Sequence, residues 1–355
     1  MSRLILSLLA ALALTAPAAA QVAFRPAVER AIDDVIVPAY AALVDAAAAE
    51  AEAMEALCRA PSPPEALMAA RARFADLVAA FGRVELYRFG PAREDNRFER
   101  IFFWPDRRGR GLRQVQSLLA DEDETATDPE TLYRKSVAVQ GLLALDFVLS
   151  GEGNETLMDA QSFRCRYGAA IAATIERNAA AILDGWQGAG GYAALMRAAD
   201  GNIYRSHGEV AQDLVKAAAE EVQIVRDFKL GNVLGDAPAD ARPRLAPFWR
   251  SNLALTSIDA NIDGIAALGA AVATVLPAGE REMRGALAFE LSRAKGAIAP
   301  LADDPRPLAE IVADPEAHRR LAYARSPLGG TFRILDQRMP AALGLTLGFN
   351  SLDGD

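Results

Sequence analysis

AVERAIDDVIVPAYAALVDAAAAEAEAMEALCR, residues 27–59, spaces Ile32, Ile36, Tyr40, Leu43 and Ala47 at helical intervals of three or four. Such intervals return apolar side chains to one face of an α-helix, whereas a half-buried strand alternates at every second residue. Pro38 lies inside the stretch. Proline has no backbone N–H to donate, so it predicts a kink or a late start there. The run PSPP at 61–64 ends this helix, and Glu65 opens a second that reaches about Tyr87.

The same period recurs outward from this stretch. Helix returns from about Pro129 to Leu149, stops at Ser150-Gly151 and resumes near Met158, with Ile171, Ile175 and Ile182 as its apolar stripe. QGAGG at 187–191 breaks the chain. A short helix then reaches Ala199, and another spans 202–228. After the Gly/Pro-rich segment 229–247, three more helices fit 248–275, 279–298 and 315–337. Strand signals are nearly absent. The expected fold is all-α: two helical bundle domains with long ordered loops between helices, an N-terminal bundle over 21–200 and a C-terminal bundle over 201–355.

The first twenty residues, MSRLILSLLAALALTAPAAA, read as a signal peptide. Arg3 gives the positive start, Leu4–Thr15 the apolar core, and Ala18-Ala19-Ala20 the small-residue cleavage site. The core is too short to span a bilayer. No cysteine marks a lipid anchor at the junction, and no later segment reads as a membrane span. The expected location is therefore the periplasm. There the two cysteines, Cys58 and Cys165, are expected to form a disulfide joining an early helix to a later one. The alternative is a pair of buried free thiols. The formal charge of −9 speaks against nucleic acid, whose binding depends on neutralising phosphates.

Enzyme signatures are sparse. The sequence has no H-E-x-x-H, no C-x-x-C and no Gly-rich phosphate loop. Its two histidines, His207 and His318, are expected to be exposed or capping, and two histidines cannot build a His-rich metal site. Three stretches stand out instead. The first, 88–113, is a long connection rich in charge and aromatics that contains Trp104-Pro105-Asp106. The second is an apolar helix with Asp146 among Leu145, Phe147 and Val148, where a buried carboxylate needs a partner. Arg134 lies too far back along that helix to serve. The third, SNLALTSIDANIDGI at 251–265, sets Asn252, Thr256, Asp259 and Asp263 in one polar stripe beside Leu255, Ile258 and Ile262. The stripe faces either solvent or a ligand; carboxylate and amide oxygens suit a hard cation.

In their order along the chain, these pieces resemble the imelysin-like family of bacterial envelope proteins. The matching elements are the leader, Trp104-Pro105-Asp106, QGLLALDFVLSG at 140–151, KLGNVLG at 229–235, RSNLALTSIDANIDGI at 250–265 and LGLTLGFNSLDGD at 343–355. The resemblance implies two helical bundles with a cleft between them and a link to iron uptake in the envelope. The family is named for a peptidase and carries a G-x-H-x-x-E signature proposed to bind metal. Here the counterpart is Gly141 to Asp146, with Leu143 at the histidine position and Asp146 at the glutamate position. Leucine has no atom to coordinate a metal or carry a proton.

The reading that follows is a non-enzymatic periplasmic binding protein that holds a small ligand or metal ion, iron or calcium, in that cleft. Its expected lining is Arg83, Trp104, Asp106, Asp146, Asn252, Ser257, Asp259, Asp263 and Asn350, with Asp146, Asp259 and Asp263 as metal candidates and Arg83 balancing charge. Other envelope iron-uptake proteins are the expected partners. Two alternatives remain: a metallopeptidase of the imelysin type, and a polysaccharide- or protein-binding envelope protein. An exposed patch at Phe102, Phe103 and Trp104 would favour the last.

Overall fold

The computed structural model describes residues 22–59, 64–106 and 108–348. The leader at 1–20 and Asn350 lie outside the described residues. Among the described residues every regular element is helical.

The opening stretch is one long rod with a local change of pitch. Arg25–Arg30 runs into a π-helical segment, Ala31–Ile36, and then into α1, Val37–Leu57. Pro38 falls in the first turn of α1, and the widened turns lie immediately before it. The interruption thus sits where the missing N–H and the ring would otherwise disturb the helix. The remaining long helices are α2 (Pro64–Val84), α3 (Arg110–Asp121), α4 (Leu142–Ser150), α5 (Phe163–Gln187), α6 (His207–Gln223), α7 (Ala254–Val272), α8 (Glu282–Ala302) and α9 (Pro315–Arg333).

In the first half of the chain, α1 packs along α2 and α5, and α4 packs on α5. In the second half, α7 packs against α6 and α8, while α9 completes the group against α6 and α8. The two groups meet where α2 lies along α7. Close approach there is made possible by glycine. A Cβ on Gly264 would lie 2.5 Å from the carbonyl oxygen of Arg83, and one on Gly82 would lie 2.7 Å from the Cβ of Ala260. Buried apolar side chains form one connected cluster through both groups. Cys58, at the end of α1, is disulfide-bonded to Cys165 in the first turn of α5, with Cα atoms 5.5 Å apart.

Two expectations need correction. The helix expected over about Pro129–Leu149 is three pieces: Pro129–Tyr133, a 3-10 turn at Val137–Val139, and α4. Gly141 forces the break, because its backbone is extended and its Cα side faces Arg100 and Ile101 so closely that a Cβ would sit 2.5 Å from the Ile101 carbonyl oxygen. The Gln140 side chain fills the gap, its amide donating to the carbonyls of Leu132, Lys135 and Ser136. The second correction concerns membrane spans. Ala254–Val275 is long and apolar enough to cross a bilayer, with a mean hydropathy of 1.4. Most of that span is buried, because α7 is the helix that both halves of the molecule pack around.

Candidate functional site

A cleft of about 490 Å³ opens between two parts of the described chain. One wall comes from the loop after Phe102, the start of α3 and the first turns of α4; the other comes from residues 228–250. Such a volume suits a small molecule.

The first wall is set by capping and burial. Asp106 turns its carboxylate onto the start of α3: Oδ1 accepts from the Arg110 N–H at 2.8 Å, and Oδ2 from those of Gly111 and Leu112 at 2.9 and 3.2 Å. These donors would otherwise be unsatisfied, and a carboxylate at a helix N-terminus also suits the helix dipole. Trp104 is joined to Pro105 by a cis peptide bond and donates its indole N–H to the Leu245 carbonyl at 3.3 Å, which fastens the two walls together. Leu143 and Asp146 lie one turn apart on α4 and both line the cleft. The position where the family signature has its histidine is thus on the cleft wall, occupied by an apolar side chain.

Asp146 finds its partners on the other wall. Its Oδ1 accepts from the Ser251 hydroxyl at 2.5 Å and the Ser251 N–H at 3.2 Å, and the Arg250 guanidinium lies 3.9 Å from Oδ2. Burial pushes its pKa up to about 6, against the opposing pull of Ser251 and Arg250. The turn that presents these partners bends at Phe248, a buried residue with φ of +57° that stacks on Phe102. Its carbonyl accepts from the Ser251 hydroxyl and the Leu253 N–H. From this turn Trp249 and Arg250 enter the cleft. The Arg250 guanidinium lies 4.4 Å from the Trp249 ring centre, and that of Arg244 lies 5.5 Å from it.

Beneath Trp104 is a buried charge network. The Lys229 ammonium, 5.8 Å from the Trp104 ring centre and 5.6 Å from that of Phe102, donates to Glu85 at 2.6 Å and to Asn261 at 2.8 Å. Asn261 donates in turn to Glu85 and to the Gly82 carbonyl. Burial works to raise the Glu85 pKa, but the charges of Lys229 and Arg88 outweigh it and hold the group below its ordinary value. Glu221, 3.8 Å from Arg88, is pushed up to about 7 by its own burial and by the charge of Glu85.

The structure brings together Trp104, Asp106 and Asp146 and places Arg83, Asn252, Ser257, Asp259 and Asp263 elsewhere, while Asn350 lies outside the described residues. Asn252 is not on α7: it precedes the helix in a left-handed conformation (φ +62°) and donates to the carbonyls of Asp304 and Arg306. Asparagine tolerates that conformation well. Ser257 is fully buried in α7. Asp259 and Asp263 are both ion-paired by Lys295 on α8, and Arg83 stands 3.8 Å from Asp263. The stripe is a seam of charge between helices. His318 is buried rather than exposed and bonds the Leu234 carbonyl at 3.1 Å, while His207 opens α6 and bonds the Arg197 carbonyl at 2.9 Å. Phe102 is buried too, and Phe103 and Trp104 line the cleft instead of forming an open patch.

Reading the sequence missed Trp249, Arg250, Ser251, Arg242 and Arg244. The signal was present in RPRLAPFWRS at 242–251, where tryptophan and arginine follow closely spaced prolines.

The donor set does not fit a catalytic metal ion. Among the described residues no three His, Cys, Asp or Glu side chains are grouped to hold one. In the cleft, the two carboxylates are engaged by protein donors and Leu143 offers none. What the fold and cleft define is an all-helical protein with a small-molecule-sized site walled by two distant stretches of chain. It belongs to the imelysin family, whose model matches residues 36–328. Two solved structures share the fold. An imelysin-like protein from Psychrobacter arcticum 273-4 superposes with a TM-score of 0.73 at 20% identity, covering 92% of this chain and 97% of its own. A putative iron-regulated protein A precursor from Parabacteroides distasonis ATCC 8503 gives 0.69 at 16% identity, covering 91% and 97%. No curated protein sequence matches the chain.

Proposed function

We propose that this chain is a non-enzymatic binding protein of the periplasm that serves the uptake of iron or another metal and holds its ligand in the cleft, between an N-terminal bundle (21–200) and a C-terminal bundle (201–355). The observation that carries the reading is the cleft itself: a preformed cavity of about 490 Å³, aromatic at Trp104 and Trp249, with few polar groups converging on it. Such cavities are the usual form of small-molecule sites. The Cys58–Cys165 disulfide suits an oxidising compartment. The link to iron rests on the family and on the iron-regulated protein that shares the fold. Hydrolysis of a peptide by a metal-activated water needs an open metal position with protein ligands around it, and the Leu143 side chain occupies the place of one such ligand.

Native mass spectrometry of protein purified from the periplasm tests the reading. A small-molecule adduct is expected that is released on denaturation and lost in Trp249→Ala. Cleavage of unfolded casein by the purified protein, abolished in Asp146→Ala, would overturn it in favour of a peptidase.

A further inference from the structure

The cleft has the opposite electrostatic character from the chain. The protein carries a formal charge of −9. Its cleft is nonetheless lined by three arginines, Arg242, Arg244 and Arg250, and only two acidic residues, Asp106 and Asp146.

The carboxylates are also the less available groups. Asp106 spends both oxygens on three backbone N–H groups, and Asp146 is buried against Ser251 and Arg250. Burial further favours the neutral form of Asp146. The arginines are differently placed. Arg242 and Arg244 are exposed and have no ion-pair partner among the described residues. Arg244 and Arg250 both lie near the Trp249 ring. Contact with an aromatic face leaves the N–H edge of a guanidinium open, and that edge matches the two oxygens of a carboxylate or phosphate. With three arginines in the lining and both carboxylates engaged by protein donors, the cleft disfavours a free cation.

We propose that the cleft selects small organic oxyanions, with the anionic group held by Arg242, Arg244 and Arg250 and a planar or apolar part against Trp249. The proposal rests on the cleft being the binding site, and it deepens that reading: a metal would enter as an anionic complex and not as the bare ion.

Calorimetric titration of the purified protein with five probes tests it: citrate, glucose 6-phosphate, the neutral ester triethyl citrate, calcium ion and ferric ion. Citrate or glucose 6-phosphate is expected to bind, the difference between them telling carboxylate from phosphate recognition, while the ester and the bare ions give no heat. The Arg242→Ala/Arg244→Ala double variant, at two exposed positions, is expected to weaken the bound oxyanion tenfold or more. Asp146→Asn, which removes the carboxylate charge 3.9 Å from Arg250, should raise its affinity. Binding of calcium or ferric ion that is lost in Asp146→Asn, without heat from either oxyanion, would overturn oxyanion selection and leave the cleft as a binding site. Oxyanion binding that the double arginine variant does not weaken would also overturn the proposal. Heat from none of the five would overturn both readings.

Discussion

Asp146 is the residue at which burial, hydrogen bonding and charge are most finely opposed. It is almost wholly buried, so its ionised form is costly; Ser251 and Arg250 offset part of that cost and leave its pKa near 6. An unfolded chain releases the same proton near 4, the ordinary aspartate value. Between these values the folded state holds more protons than the unfolded one, so stability falls as pH rises from about 4 to about 6. Glu221, raised from its ordinary 4.5 to about 7, adds a second fall in the same direction that overlaps the first and continues to neutrality. Asparagine at 146 keeps an oxygen for Ser251 but does not ionise. The Asp146→Asn variant is therefore expected to reduce the slope of urea-unfolding stability between pH 4 and 6, leaving there the share due to Glu221, and to retain the slope from 6 to 7. Glu221→Gln should remove the slope from 6 to 7 and also reduce it below 6, leaving there the share due to Asp146. An unchanged slope in Asp146→Asn would mean that Asp146 titrates as an ordinary exposed carboxylate.

At the scale of elements, the helices were legible and their seams were not. Ile32, Ile36, Tyr40 and Leu43 announce α1 because a buried helix face imposes its period on the sequence. Gly141 gave no comparable sign: its role depends on how near the Arg100 and Ile101 carbonyls come, which no local pattern records. The site was legible on one wall only. Trp104, Asp106 and Asp146 stand out because each is chemically unlike its neighbours, whereas RPRLAPFWRS reads as a proline-rich loop until the fold lays it opposite α4. Asp259 and Asp263 misled for a related reason, since their partner Lys295 lies on another helix. Glycine at the α2–α7 seam makes a prediction at this scale. Because the Arg83 carbonyl leaves no room for a Cβ on Gly264, Gly264→Ala must push the helices apart. Overpacking of this kind costs about 1–3 kcal/mol. Urea denaturation should show that loss. Gly285→Ala, with nothing near its added Cβ in helix α8, serves as control and should not destabilise.

At the scale of the whole molecule, two long-range ties hold distant parts of the chain together. The Cys58–Cys165 disulfide closes a separation of 107 residues. In the chain-entropy model a loop of about that length contributes roughly 4–5 kcal/mol by restricting the unfolded chain. The double variant Cys58→Ala/Cys165→Ala is expected to lose stability of that order in urea, with little change in the native circular dichroism. The second tie is the Lys229 network, which joins the end of α2, the π-helical continuation of α6 and the middle of α7. Both charged side chains at its centre are fully buried. Removing one partner of such a pair costs about 3–5 kcal/mol, because the other is left as an uncompensated buried charge, while replacing both can be nearly neutral. Lys229→Met is therefore expected to destabilise strongly, since it strands Glu85 with only Arg88 and Asn261. The double variant Lys229→Met/Glu85→Gln should recover much of the loss. Because the ammonium lies below Trp104, the single variant should also shift tryptophan emission and loosen the cleft wall. Additive losses in the double variant would mean that the two charges act independently, and the network would then not be a tie between the halves.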